Sequence, residues 1–154
     1  MDSNNIRQIE QALEASLPED YKRILLQYPR EIPDARDLHL SDDVDWLIEQ
    51  NLYVRQEPSG FFGKREWFDN HYIVGSDGNG NCFYLGLERP LPSPIFFLDH
   101  ERPDVTGMEI ASNFDEWIPK IREQLDEYQR NAKSLKVYKE KRAAQATKPW
   151  YKFW

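Results

Sequence analysis

Apolar residues at Ile6, Ile9, Leu13 and Leu17 recur every three or four positions, the spacing that lines one face of an amphipathic helix. Ser3 is its expected N-cap. Leu17-Pro18-Glu19-Asp20 predicts a second helix. Pro18 suits a first helical position, where its missing N–H would find no partner, and the two acids suit the positive end of the helix dipole. Tyr21, Ile24, Leu25 and Tyr28 form its inner face, Pro29 ends it, and so short a link predicts antiparallel packing of the pair. From Glu31 to Leu40, Pro33 and the charges allow at most a short edge strand. Ser41 ahead of Asp42, Asp43, Val44, Asp45 and Trp46 predicts a capped helix to about Asn51. Leu52–Val54 then reads as a strand and Gln56–Asn70 as a loop.

The pattern changes at Tyr72–Leu87 (YIVGSDGNGNCFYLGL). Two aromatic-rich apolar runs, Tyr72–Val74 and Cys82–Leu85, flank a turn containing Gly75, Asp77, Gly78 and Gly80. Such runs suit a half-buried pleated surface, and the Asn/Gly cluster supplies positive φ for a tight connection, so a β-hairpin is predicted. Ile95–Leu98 is short enough for a buried strand, and Asp99–Gly107 reads as a turn. Ser112, with Asp115 three residues on, predicts a capping box for the last helix. Its seam runs Ile118, Ile121, Leu125, Tyr128, Ala132, Leu135, with packing back onto the sheet as its expected use and Pro119 expected to kink or restart it. The whole predicts an α+β single domain: an N-terminal helix pair on a mostly antiparallel meander with a helix inserted, and a long C-terminal helix. Its expected bounds are 1–129, with a basic, aromatic extension at 130–154.

Charge sharpens the division. Residues 1–118 carry 10 Lys/Arg against 23 Asp/Glu, a net −13, whereas residues 119–154 carry 10 against 4, a net +6. An acidic body repels nucleic acid and speeds encounter with basic proteins. Direct nucleic-acid binding is therefore not expected. One cysteine, Cys82, allows no internal disulfide and fits a reducing compartment, so a cytoplasmic location is the expectation. No apolar run approaches the roughly 20 residues of a membrane span, and Met1-Asp2-Ser3 opens no leader pattern.

Little reactive chemistry survives inspection. Asp77, Asn79, Asn81 and Glu88 fall at positions 1, 3, 5 and 12 of a calcium loop, but Cys82 stands where the sharp turn needs glycine. Asp99-His100-Glu101 lacks further ligands at metal spacing and reads as a solvated turn. His39 and His71 stand alone, and Cys82 within an aromatic strand reads as a small buried hydrophobe. Gly75–Gly80 lacks the order of a phosphate-binding loop, and no helix follows it. No catalytic residue, metal or cofactor is expected. Asp42, Asp43, Asp45 and Glu49 beside Trp46 form either a solvated face or an acidic docking surface with an aromatic anchor. The tail Lys148–Trp154 is too apolar for a solubilising linker, and Trp150 and Trp154 are expected to dock on the protein itself, within one chain or across a homodimer, rather than on a membrane.

Three pieces stand in order: LPEDYKRIL, YIVGSDGNGNCFYLGL, and IFFLDHE followed by IASNFDEWI. Together, over roughly residues 6–121, the chain resembles the SUKH superfamily, in the group of fungal cell-wall-synthesis regulators and bacterial immunity proteins. Tyr28-Pro29-Arg30 replaces the family's usual glycine turn, and the basic tail departs from its compact members. The resemblance implies an α+β fold without catalytic machinery. It also implies an immunity protein that binds and neutralises a toxin, often a nuclease, or else a signalling scaffold. A nuclease is basic where it holds phosphate, which agrees with the acidic body.

Overall fold

Asp2 starts the first helix. Its carboxylate accepts from the Asn4 and Asn5 amides, and Asn5 Oδ1 accepts from the Asp2 amide at 2.9 Å, a closed capping box. Ser3 is thus the first residue of α1 (Ser3–Leu13) and not its cap, because Asp2 places a competent acceptor three residues away. A computed structural model describes residues 1–29, 32, 40–56, 71–86, 92–102 and 107–146, the side chains of 138 and 140–146 excepted. Ile6, Ile9 and Leu13 are buried as their period predicts.

Pro18, in extended conformation at ψ 142°, sits one residue outside α2 (Glu19–Leu26), and its carbonyl accepts the first helical bond from Lys22 at 3.0 Å. The helix ends at Leu26, three residues before Pro29, and buries Tyr21, Ile24 and Leu25. Lys22 reaches Glu10 at 2.9 Å, tying α2 to α1. Asp20 bonds the Ser93 amide at 2.9 Å across 73 residues, so it anchors a distant segment as well as favouring the helix start.

The third helix begins later and runs further than the pattern predicts. Asp43, not Ser41, caps α3 (Val44–Gln56): its Oδ1 accepts from the Trp46 amide at 3.0 Å, while Ser41 Oγ accepts from the Asp43 amide. Leu52–Val54, expected as a strand, forms the last turns of this helix. Its buried stripe is Leu47, Asn51, Val54, and the polar middle member conceals the helical period. The possible strand at 31–40, apart from Ile32 and Leu40, and the loop at 57–70 lie outside the described residues.

The hairpin forms as predicted: β1 (His71–Ser76) pairs antiparallel with β2 (Cys82–Gly86). With β3 (Ile95–Leu98) and an unpredicted β4 (Met108–Ala111) they make a sheet in the order β1-β2-β3-β4, antiparallel throughout. Strand β4 escapes the sequence pattern because only Ala111 is fully buried. No helix is inserted in this meander among the described residues; α3 precedes it. Gly107 leads into β4, and a Cβ there would lie 2.2 Å from the Tyr84 hydroxyl, so only glycine fits over that ring.

Each face of the sheet has its own core. On one, Phe83 packs against Phe97 and Trp117, while Tyr72 meets Tyr21, which stacks on Phe114 with ring centres 5.3 Å apart. On the other, Ile73, Cys82, Tyr84 and Leu98 pack with Val54, and Trp46 and Phe96 lie against them, half buried. Helix α3 also seals the outer edge of β1. Asn51, fully buried, donates to the Ile73 carbonyl at 2.9 Å and accepts from its amide at 2.8 Å; Arg55 reaches the His71 carbonyl, and the Ser41 amide reaches Val74. An edge strand so covered cannot pair with another chain.

The last helix, α4 (Phe114–Ala146), is capped by Asn113, whose Oδ1 accepts from the Glu116 amide at 2.9 Å, rather than by Ser112. Glu116 reaches back to the Ser112 amide. The helix runs through Pro119 without restarting. The chain divides into Met1–Ile121 and Arg122–Trp154. Along the predicted seam, burial includes Ile118, Ile121 and Leu125 and then stops: Tyr128 is 70 % exposed and Leu135 54 %. Among the described residues no helix is long and apolar enough to cross a membrane.

Candidate functional site

The two sequence features judged separately, the acidic helix start and the glycine-rich turn, meet at one cleft. It has a volume of about 240 Å³. Trp46 and Gln50, one turn apart on α3, form one wall, and the largely buried Ile73 and Cys82 of the sheet lie at its floor. The turn supplies the opposite side through Gly75, Ser76, Gly78, Gly80 and Asn81. A helix and a hairpin that share an apolar core here leave a gap where the strands end and the turn curls away.

The turn is held by Asp77. Its Oδ1 accepts from the Asn79 amide at 2.9 Å and the Asn81 amide at 3.2 Å, and its Oδ2 accepts from the Asn81 side chain at 2.7 Å. Partial burial pushes the Asp77 carboxyl up, but these donors more than offset it and hold the group below its ordinary value. Gly78 and Gly80 have φ of 74° and 95°, a region glycine enters freely; Gly75 instead sits at a bulge in β1. A Cβ on Gly80 would also lie 3.2 Å from the His100 ring. His100 is drawn to the turn by Asn81, whose Oδ1 accepts from its amide at 2.9 Å and meets its Nδ1 at 2.8 Å.

Because Asp77's folded-state pKa is depressed, its contribution to stability is present above the ordinary carboxylate pKa near 4 and is lost as pH falls through the lower folded value. Asp77→Asn is therefore expected to cost about 1 kcal/mol at pH 7, allowing for solvent exposure, and to flatten the loss of stability below pH 4. Melting temperatures of both proteins from pH 7 to pH 2 check this; parallel curves would remove Asp77 from the account. Calcium should leave both melting curves unmoved.

The acidic residues differ in their surroundings. Asp43 is committed to capping α3. Asp42 lies close enough to Tyr21 to help raise that phenol, after burial and the neighbouring Tyr72 and Tyr28 hydroxyls. Asp45 and Glu49, one turn apart, are exposed and flank the Trp46–Gln50 stripe on its outer side. Gln50, Ser76, Asn81 and Cys82 were not singled out as site residues by sequence reasoning; the spacing of Gln50, four residues after Trp46, was the one signal available. Trp150 and Trp154 lie outside the described residues. Among the described residues, no group of three or more His, Cys, Asp or Glu could hold a metal ion.

This arrangement offers surfaces and sockets rather than a nucleophile beside a base. Neither a curated protein nor a solved structure matches the chain significantly. A family model does, over residues 1–120, nearly the whole of the first compact unit. Its domains are generally non-catalytic immunity or regulatory modules, which supports a protein-interaction or immunity-type role. The chain belongs to the SMI1/KNR4 family (SUKH-1).

Proposed function

We propose that this protein is an immunity-type binding domain that neutralises a basic, nuclease-type toxin domain by direct contact. The observation that carries the reading is the exposed Asp45–Glu49 stripe beside half-buried Trp46 at the rim of a cleft. Interfaces concentrate their energy in aromatic anchors set in pockets, and surrounding charges steer the encounter. The net −13 of residues 1–118 extends that steering beyond the stripe. Asp42 and Asp43 add charge beside the stripe, while Asp43 also caps α3.

Co-expression with any toxin domain that proves to be encoded beside this gene tests the function: protected cells and a complex at moderate salt are expected. Absence of both would end the toxin reading and leave a regulatory scaffold of the cell-wall-synthesis-regulator type. The surface is tested by Asp45→Lys with Glu49→Lys. Association should slow by about tenfold at low salt, with dissociation changed far less, as rim charges behave. An unaltered on-rate would move the interface off α3.

A further inference from the structure

We infer that the cleft between α3 and the β1–β2 turn accepts one arginine side chain of the bound partner, with its guanidinium laid on the Trp46 indole. The inference rests on the protein-binding reading above and specifies what that surface grips. Size comes first. A volume of about 240 Å³ is below the roughly 300–1,000 Å³ of small-molecule sites, and suits a single long side chain.

The lining then selects the kind of side chain. Among its described residues the one aromatic is Trp46, whose π face attracts cations, and guanidinium groups stack on aromatic faces with a smaller hydration cost than ammonium groups. Among the described residues, no lysine, arginine or histidine lines the cleft. Gln50 and Ser76 are among its lining residues and carry oxygen acceptors, and arginine is a pure donor with five N–H groups in a planar fork. Glycines at two turn positions, Gly78 and Gly80, and at the β1 bulge, Gly75, keep that wall low enough for a flat group to enter edge-on. Asp45 and Glu49 lie on the next stripe of α3 toward solvent, so a cation entering past them is compensated and an anion is repelled. An apolar or aromatic side chain would use the indole and leave that charge without a counterpart.

The test titrates the full chain, labelled with nitrogen-15, with N-acetyl-arginine amide and with its uncharged isostere N-acetyl-citrulline amide. The arginine compound should give weak, saturable shifts of the Trp46 indole N–H and of the Gly75, Gly78 and Gly80 amides, with the citrulline compound at least tenfold weaker. Trp46→Leu should abolish the shifts. Trp46→Phe, which keeps a ring and the fold, should retain a weakened response, and Asp45→Asn with Glu49→Gln should reduce affinity severalfold. Equal binding of citrulline, or no saturable shift at these positions, overturns the proposal. Protection in co-expression together with no arginine response discards the socket and keeps the function. Arginine binding without protection by any neighbouring toxin does the reverse.

Discussion

Asn51→Ala is expected to cost about 3–5 kcal/mol, since two buried backbone groups lose their partners at about 1–3 kcal/mol each and a small cavity remains. The side chain is fully buried and satisfies the amide and carbonyl of Ile73 together, while also donating to the Leu47 carbonyl at 2.8 Å. Asn51→Leu restores volume but not partners, so it should remain badly destabilised; Asn51→Asp loses the donor and adds a buried charge. Urea unfolding measures the effect as a fall in midpoint at unchanged slope. A cost below about 1 kcal/mol for alanine would mean that the β1 edge finds its hydrogen bonds elsewhere. Losses of the expected size approach the whole stability of a small domain, about 5–15 kcal/mol.

Phe114→Ala should cost a similar amount, about 3–5 kcal/mol, the range for deleting a buried phenyl ring. Phe114 is fully buried, stacks on Tyr21 at an interplanar angle of 12°, and lies 6.0 Å from the Trp117 ring centre. It therefore joins α2 to the first turn of α4, where the Arg23–Asp115 pair, 3.0 Å apart but exposed, adds little. The same helix provides the control. Tyr128→Ala and Leu135→Ala, at positions that are mostly exposed, should each change stability by no more than about 0.5 kcal/mol. Comparable costs at Phe114 and Leu135 would show that the seam is packed along its full length.

That contrast marks what periodicity can and cannot reveal. Ile118, Ile121, Leu125, Tyr128 and Leu135 obey one spacing, yet the last two are exposed. Spacing places residues on one face of a helix, but does not say where the covering surface ends. The caps erred in the same way. Asp2, Asp43 and Asn113 each lie within two residues of the expected caps Ser3, Ser41 and Ser112, because several short polar side chains can accept the orphan amides and packing decides which one does. Helix α3 misled for another reason: a buried asparagine interrupts its apolar stripe, and its value lies in a strand 22 residues away.

The site was legible only in halves. Trp46, Asp45 and Glu49 announced an acidic helix with an aromatic anchor, and the glycines announced a turn, but no spacing in the chain relates position 46 to position 80. Hydrophobic alternation, glycine turns and the ordered pieces LPEDYKRIL, YIVGSDGNGNCFYLGL and IFFLDHE are local, and by themselves they determined the hairpin, the four helices if not all their bounds, the α+β class and the family. Tertiary structure alone decided that α3 lies on the β1 edge, that β4 joins the sheet, that Asp43 caps α3, and that Trp46 faces the turn across a cleft. Each depends on a partner distant in sequence, whose hydrogen bonds and packing exist only once the chain has closed.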